Sequence, residues 1–106
     1  MANFLEKVLM NDLASSAARA ARLRTLREAF GLTQLAFCKK YGFKITRWNN
    51  FERGMPLGIK AAQQLCAQIP GLSLGWLYSG TTGDLSIGMA RLLGELPEPP
   101  STNFKT

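Results

Sequence analysis

The side chains most suited to chemistry stand together at residues 46–54, where the sequence reads T-R-W-N-N-F-E-R-G. Asparagine amides hydrogen-bond to adenine edges, and arginine guanidinium groups bond to guanine or to phosphate. Trp48 and Phe51 stand three residues apart, so in a helix they share one face and require burial. On a helical wheel the polar side chains fall on the other side: Thr46, Asn49, Asn50 and Arg53, with Arg47 flanking. The stretch predicts a helix that is packed on one face and exposed for hydrogen bonding on the other.

Catalytic and metal-binding residue types are scarce. The 106 residues include no histidine, the commonest general base and metal ligand. Cys38 and Cys66 lack the close spacing of zinc or redox motifs, so we expect two buried, reduced thiols. The run S-G-T-T-G-D at 79–84 is too short for a phosphate-cradling loop and favours a turn. We therefore expect no enzyme activity, cofactor, metal or small-molecule substrate.

The net charge of +6 is concentrated in the middle of the chain. Between Arg19 and Lys60 ten basic residues face two acidic ones, a net charge of +8. The remaining residues carry three basic and five acidic side chains, a net charge of −2. This distribution indicates a polyanionic partner, and the alternative is a solvated surface that is merely basic. Specific reading of RNA is disfavoured, because the basic stretch lacks exposed aromatic residues on which bases could stack.

Apolar residues recur with helical spacing along the chain, and no alternating pattern is long enough for a strand. We expect an all-α protein with a helical arm at 1–15, a five-helix domain at 16–80, and a helix with a Pro-rich tail at 81–106. The apolar residues of the arm are Phe4, Leu5, Val8 and Leu9. The helix after Pro56, which suits a helix start, is expected to bury Ile59, Ala62, Leu65, Cys66 and Ile69.

Capping residues mark the ends of the predicted helices. Ser15 or Ser16, and then Thr33 and Ser73, suit N-caps. Glycines suit the positions after four of the helices: Gly31, Gly42, Gly54 and Gly80. Two short helices joined at Gly42 are the components of a helix-turn-helix.

No apolar run approaches the ~20 residues that a membrane span requires. The opening M-A-N-F-L-E-K-V-L-M also lacks the basic leader and apolar core of a secretory signal. We therefore expect a cytoplasmic protein that does not enter membranes.

The stretch L-R-E-A-F-G-L-T-Q-L-A-F-C-K-K-Y-G-F-K-I-T-R-W-N-N-F-E-R-G resembles the XRE-type helix-turn-helix domain of lambda-type phage repressors and Cro proteins. The later run G-L-S-L-G-W-L-Y-S-G is similar to the fifth helix of that domain. The resemblance covers roughly Arg19 to Gly80. It depends on G-L-T-Q, Gly42, F-E-R-G and S-L-x-W-L-Y occurring in the family's order and spacing. It implies a five-helix, lambda-repressor-like fold.

The resemblance also implies roles for individual residues. Gln34 matches a position that contacts phosphate and braces the third helix. Ile45, Thr46 and Asn50 match the main base-facing positions. The neighbouring matches are Lys44, Arg47 and Asn49, and the wheel adds Arg53. The resemblance further implies a buried ion pair between Arg27 and Glu52.

Three residues depart from the family pattern. Lys44 replaces the usual Ser or Thr N-cap, so we expect Thr46 to cap a helix that starts later. Ile45 replaces a polar residue, which implies either contact with a thymine methyl group or weakened readout. Gly75 replaces an acidic residue, at an expected cost only in local helix stability.

Together these features predict a sequence-specific, double-stranded-DNA-binding regulator, a repressor associated with the nucleoid. We expect a dimer whose third helices enter successive major grooves ~34 Å apart. The dimer surface would come from the arm or from Leu85, Ile87, Leu92 and Leu93, unless these segments fold back on the core. The alternative function is a protein-interaction module, such as an antitoxin, with weak or no specific DNA readout.

Overall fold

The structure is a computed structural model that describes residues 14–96. This part of the chain contains six helices and no strands, so the all-α prediction is confirmed for it. The helices are α1 (Ser16–Ala29), α2 (Gln34–Tyr41), α3 (Ile45–Glu52), α4 (Ile59–Gln68), α5 (Leu74–Ser79) and α6 (Ile87–Leu92). The predicted N-terminal arm, with Phe4, Leu5, Val8 and Leu9, and the Pro-rich tail lie outside the described residues.

Short-range hydrogen bonds set most helix ends where the capping residues predict them. Ser15, Thr33 and Ser73 each accept a hydrogen bond from a backbone N–H in the first turn of α1, α2 and α5. Of the two candidates for the first cap, Ser15 has that role. Gly42 ends α2 with φ +82°, a left-handed conformation that a residue without a side chain adopts at little cost.

The predicted start of α3 is wrong. The helix begins at Ile45, with Lys44 in extended conformation at the N-cap and no side chain capping the first turn. Thr46 is therefore a residue of the first turn and not the cap. Because lysine offers no acceptor, the first-turn N–H groups of α3 lack the side-chain partner that a serine or threonine would supply.

The start of α4 also differs from the prediction. The helix begins at Ile59 after Gly58, so Pro56 lies in the preceding loop. Ile59 is 53% exposed, and Leu57 of the loop is buried in the core instead. Cys66 is only partly buried. The apolar face of α4 consists of Ala61, Ala62, Leu65 and, just after the helix, Ile69.

Two fully buried tryptophans form the centre of the core. Trp48 of α3 packs against the ring of Phe37, with centroids 4.6 Å apart, and against Phe43 at 5.3 Å. Trp76 of α5 is 1% exposed. Burying aromatic side chains of this size contributes more than the roughly 1.5–3 kcal/mol typical of a buried aliphatic residue. The core therefore holds α3 by its aromatic face.

The C-terminal helix α6 is attached to the five preceding helices through backbone and side-chain contacts. The Ser86 N–H donates to the carbonyl of Gly71 at 3.1 Å, and Trp76 Nε1 donates to Glu95 at 2.7 Å. Gly71 has φ +87°, and a side chain there would collide with Ser86. Leu85 is buried beside this attachment.

The four apolar residues predicted either to dimerise or to fold onto the core are divided between core and surface. Leu85 and Leu93 are buried, whereas Ile87 is 64% and Leu92 43% exposed. Gly75 has a packing role that the sequence did not reveal, because a side chain there would meet the Thr81 hydroxyl at 2.6 Å. Within residues 14–96, no helix combines the length and apolar character needed to cross a bilayer.

Candidate nucleic-acid interface

Helices α2 and α3 form a pair joined by three residues, Gly42, Phe43 and Lys44. Phe43 is buried, which fixes the connection to the core. Gln64 and Gln68 of α4 each donate to the carbonyl of Tyr41 at 2.8 Å, satisfying a backbone acceptor at the end of α2. The geometry of the pair is therefore set by both packing and hydrogen bonds.

The inner face of α3 is anchored through Glu52, which is 4% exposed. Arg27 of α1 makes a two-point contact with its carboxylate, Nε–Oε2 at 2.7 Å and Nη2–Oε1 at 3.1 Å. Gln34 Nε2 of α2 donates to Oε1 at 3.2 Å, and Trp48 Nε1 donates to Oε2. Arg24 Nη2 donates to the Glu52 backbone carbonyl at 3.2 Å. One carboxylate thus connects α1, α2 and α3.

Burial of Glu52 acts to raise the pKa of its carboxyl group, but hydrogen bonds from Arg27, Gln34 and Trp48 outweigh this effect. The net result is a lowered pKa, so Glu52 is ionised at neutral pH. The hydrogen bond to Glu52 is the main cause that raises the pKa of Arg27. The pair is therefore a charged, buried ion pair whose carboxylate is saturated with donors.

The outer face of α3 exposes the side chains suited to base edges. Thr46 and Asn50 are exposed, and within residues 14–96 neither side chain makes a hydrogen bond to the protein. Ile45, in the first turn, is 43% exposed. Asn49 is half-buried and accepts a hydrogen bond from Gln34 Nε2 at 3.3 Å. The helix thus separates a packed face from a polar face, as its sequence predicts.

A shallow depression lies between α2 and α3, with a volume of about 300 Å³. We call it the α2–α3 depression, and its lining residues are Gln34, Ile45, Thr46 and Asn49. All four are among the residues singled out in the sequence. They come from two helices and are separated by up to fifteen positions in the chain, as the Gln34–Asn49 contact illustrates.

Basic side chains are exposed along and next to α3. Lys44 and Arg53 are exposed at the two ends of the helix. The Arg47 guanidinium lies 5.4 Å from the centroid of the Phe51 ring, a cation–π distance that holds it along the flank of α3. Of the eight candidate DNA-binding residues, four line the depression; the others are exposed on or beside α3 without lining it: Lys44, Arg47, Asn50 and Arg53.

Two contacts of Glu52 were not predicted from the sequence. Arg24 is half-exposed, and its Nε lies 3.8 Å from Glu52 Oε1. Trp48 stands four residues before Glu52, a spacing that brings two helical side chains together and could have revealed the hydrogen bond. Arg24 offered no such signal, because its contact joins two different helices.

Other kinds of site find little support in the described residues. Residues 14–96 contain no group of three or more His, Cys, Asp or Glu side chains that could hold a metal ion. Burial raises the pKa of both the Cys38 and the Cys66 thiol, which disfavours the reactive thiolate form.

Neither a family model nor a curated protein nor a solved structure matches this chain. The function is therefore inferred from the surface of α2 and α3 and from the charge around it.

Proposed function

We propose that this protein is a sequence-specific, double-stranded-DNA-binding regulator that uses α2 and α3 as a helix-turn-helix of the XRE type. The observation that carries the proposal is the α2–α3 depression, to which Gln34, Thr46 and Asn49 contribute polar side chains within a stretch of net charge +8. Phosphates bind to such a basic surface, while amides and hydroxyls discriminate between bases. Both kinds of side chain are available on α3 and the residues next to it.

The dimensions of α3 suit the major groove. An α-helix with its side chains is about 10–12 Å across, and the major groove of B-DNA, about 12 Å wide, admits it; the eight residues of α3 extend ~12 Å along the helix axis. In this arrangement Thr46 and Asn50 contact base edges. Lys44, Arg47 and Arg53 lie along the same helix and bind phosphates.

The network around Glu52 supports this role because it makes α3 a rigid element. Recognition by a few hydrogen bonds requires that their donors and acceptors be held in place before binding. Arg27 of α1 and Gln34 of α2 hold the C-terminal end of α3 from two neighbouring helices, and Trp48 bonds to Glu52 within α3 itself. The Thr46 and Asn50 side chains are thereby presented from a fixed backbone.

We further propose that the protein represses transcription as a dimer, with the two α3 helices ~34 Å apart in successive major grooves. Exposed Ile87 and Leu92 on α6 are candidates for the subunit contact. Light scattering after size exclusion at micromolar concentration tests this, and a monomer at every concentration would contradict it.

The principal test is selection of bound duplexes from a random DNA pool at near-physiological salt. We expect an enriched motif with two related half-sites about one helical turn apart. The double variant Thr46→Ala with Asn50→Ala should lose the sequence preference at the base pairs that these two side chains contact yet keep most of the salt-dependent binding. The matched control removes one hydroxyl and one amide elsewhere, Thr82→Ala with Gln63→Ala, and should select the wild-type motif. An unchanged motif with the α3 variant would show that α3 does not read the bases.

Exposed apolar residues near the depression favour a second candidate, a protein-interaction module such as an antitoxin. Ile45 is 43% and Leu35 52% exposed, and neither can hydrogen-bond to a base. A small protein that copurifies through this surface, and is lost on Ile45→Asp with Leu35→Asp, would support this candidate. If this second candidate is correct, the selection from a random DNA pool should give salt-sensitive binding without any enriched motif.

A further inference from the structure

Gln34 is hydrogen-bonded so that only one of its polar atoms remains available to a ligand. Its Nε2 lies 3.2 Å from Glu52 Oε1 and 3.3 Å from Asn49 Oδ1. An ionised carboxylate only accepts hydrogen bonds, so the Gln34 atom beside it has to be the amide nitrogen. That nitrogen carries two hydrogens, and both are used within the protein. Gln34 therefore offers a ligand only its carbonyl oxygen, an acceptor, which does not suit the phosphate contact that the resemblance implies for this position.

The same reasoning extends from Gln34 to Asn49. Because Gln34 donates in their contact, the Asn49 atom involved has to be the oxygen. Within residues 14–96 the Asn49 amide nitrogen makes no hydrogen bond to the protein, so it offers a ligand two N–H donors. Both side chains are only partly buried and both line the α2–α3 depression. The depression thus presents one acceptor and one donor from two linked amides.

The buried ion pair is the origin of this fixed polarity. Arg27 binds both oxygens of the Glu52 carboxylate, which keeps it ionised and unable to donate. Without that charge, the amide of Gln34 could turn over and exchange its donor for its acceptor, and Asn49 could do the same. Glu52, although buried, is therefore a positioning residue for the surface.

We propose that Gln34 and Asn49 together read one adenine in the major groove, Gln34 accepting from its N6 amino group and Asn49 donating to its N7. This inference rests on the proposed DNA-binding function. In the major groove guanine presents two acceptors, cytosine one donor, and thymine one acceptor and a methyl group. Adenine alone combines a donor and an acceptor, the complement of what the two amides present.

The test repeats the duplex selection with Gln34→Ala, Asn49→Ala and the control Gln63→Ala. We expect the first two variants to lose preference for adenine at the same position of the half-site, by roughly tenfold to a hundredfold, with the other positions retained. Asn49→Asp is the sharpest variant, because it keeps the oxygen that Gln34 bonds but replaces the free donor with an acceptor. Its preference at that position should change from adenine to cytosine, whose edge carries only a donor.

A second measurement keeps the protein unchanged and alters the DNA. In the selected duplex, adenine at that position is replaced by 7-deazaadenine, which lacks the N7 acceptor, or by purine, which lacks the N6 amino group. Each replacement should weaken binding about tenfold or more, whereas the same replacements at an adenine outside the motif should have no effect.

The outcomes separate this inference from the function on which it rests. The inference would be overturned if the wild-type protein selects a motif but Gln34→Ala and Asn49→Ala change different positions of that motif, or none. The proposed DNA-binding function would still stand in that case. Binding that tolerates both adenine analogues would overturn the inference in the same way. Absence of any wild-type motif would overturn the proposed function, and this inference with it.

Discussion

Two hydrogen bonds of the same chemical type, tryptophan to glutamate, stabilise two different regions of this molecule. In α3, Trp48 donates to Glu52, and in the C-terminal region Trp76 donates to Glu95 at 2.7 Å. Both indole rings are fully buried. The carboxylates differ, since Glu52 is 4% exposed while Glu95 lies at the surface.

This difference in the exposure of the two carboxylates determines how much each hydrogen bond contributes to stability. Water replaces a lost partner at the surface, whereas a buried donor or charge that loses its partner remains unsatisfied. Glu52 also binds Arg27 and Gln34, so its removal would affect three donors at once. We therefore expect the two glutamates to differ strongly in their contribution to stability and, through α3, to the proposed DNA binding.

The largest effect is expected from Glu52→Ala. The variant leaves the Arg27 charge and the Trp48 N–H without their acceptor, and breaking a buried ion pair costs about 3–5 kcal/mol of unfolding free energy. Urea unfolding followed by far-ultraviolet circular dichroism measures this loss. The matched control is Glu28→Ala, because Glu28 also contacts Arg27, at 4.0 Å, but is exposed. Equal unfolding free energies for the two variants would contradict the buried network.

The features that the sequence predicted correctly are those set by neighbours in the chain. The N-caps Thr33 and Ser73 bond to backbone groups three residues away, so their types and positions suffice to locate helix starts. The burial of Trp48 opposite exposed Thr46 follows from helical periodicity alone. The resemblance implied that Gln34 braces the third helix, and in the structure Gln34 lines the α2–α3 depression.

The features that were missed depend on contacts between distant segments. The hydrogen bond from Gln34 to Asn49 and the attachment of Glu95 to Trp76 join residues on different elements. The start of α3 was missed for another reason. Ile45 begins the helix although Lys44 cannot cap it, because burial of Trp48 and Phe43 compensates for the weak local signal. Local preferences lose to tertiary packing in such cases.

A smaller effect is expected from protonating Glu52. Because its pKa is lowered in the folded protein, its contribution to stability is complete above the ordinary glutamate pKa of about 4.3 and is lost as the pH falls through the lower folded value. The variant Glu52→Gln cannot titrate at this position. The difference in unfolding free energy between wild type and Glu52→Gln should therefore shrink in acid. Parallel profiles down to strongly acidic pH would contradict the lowered pKa.

The smallest effect is expected from Glu95→Ala, which removes the surface counterpart of the Glu52 bond. A hydrogen bond with an exposed partner contributes about 0.5–1.5 kcal/mol, and α6 keeps its backbone bond from Ser86 to Gly71 and the burial of Leu93. The free energy of global unfolding should therefore change little, while the substitution should speed amide hydrogen exchange more in α6 than in α3.

Combining Glu95→Ala with Trp76→Phe gives a double-mutant cycle that isolates the hydrogen bond from the packing of the indole ring. A coupling energy as large as that of Trp48 with Glu52 would show that burial of the carboxylate does not set the strength of these pairs. A coupling energy well below that of Trp48 with Glu52, measured by the same kind of cycle, would show that burial of the carboxylate strengthens the bond.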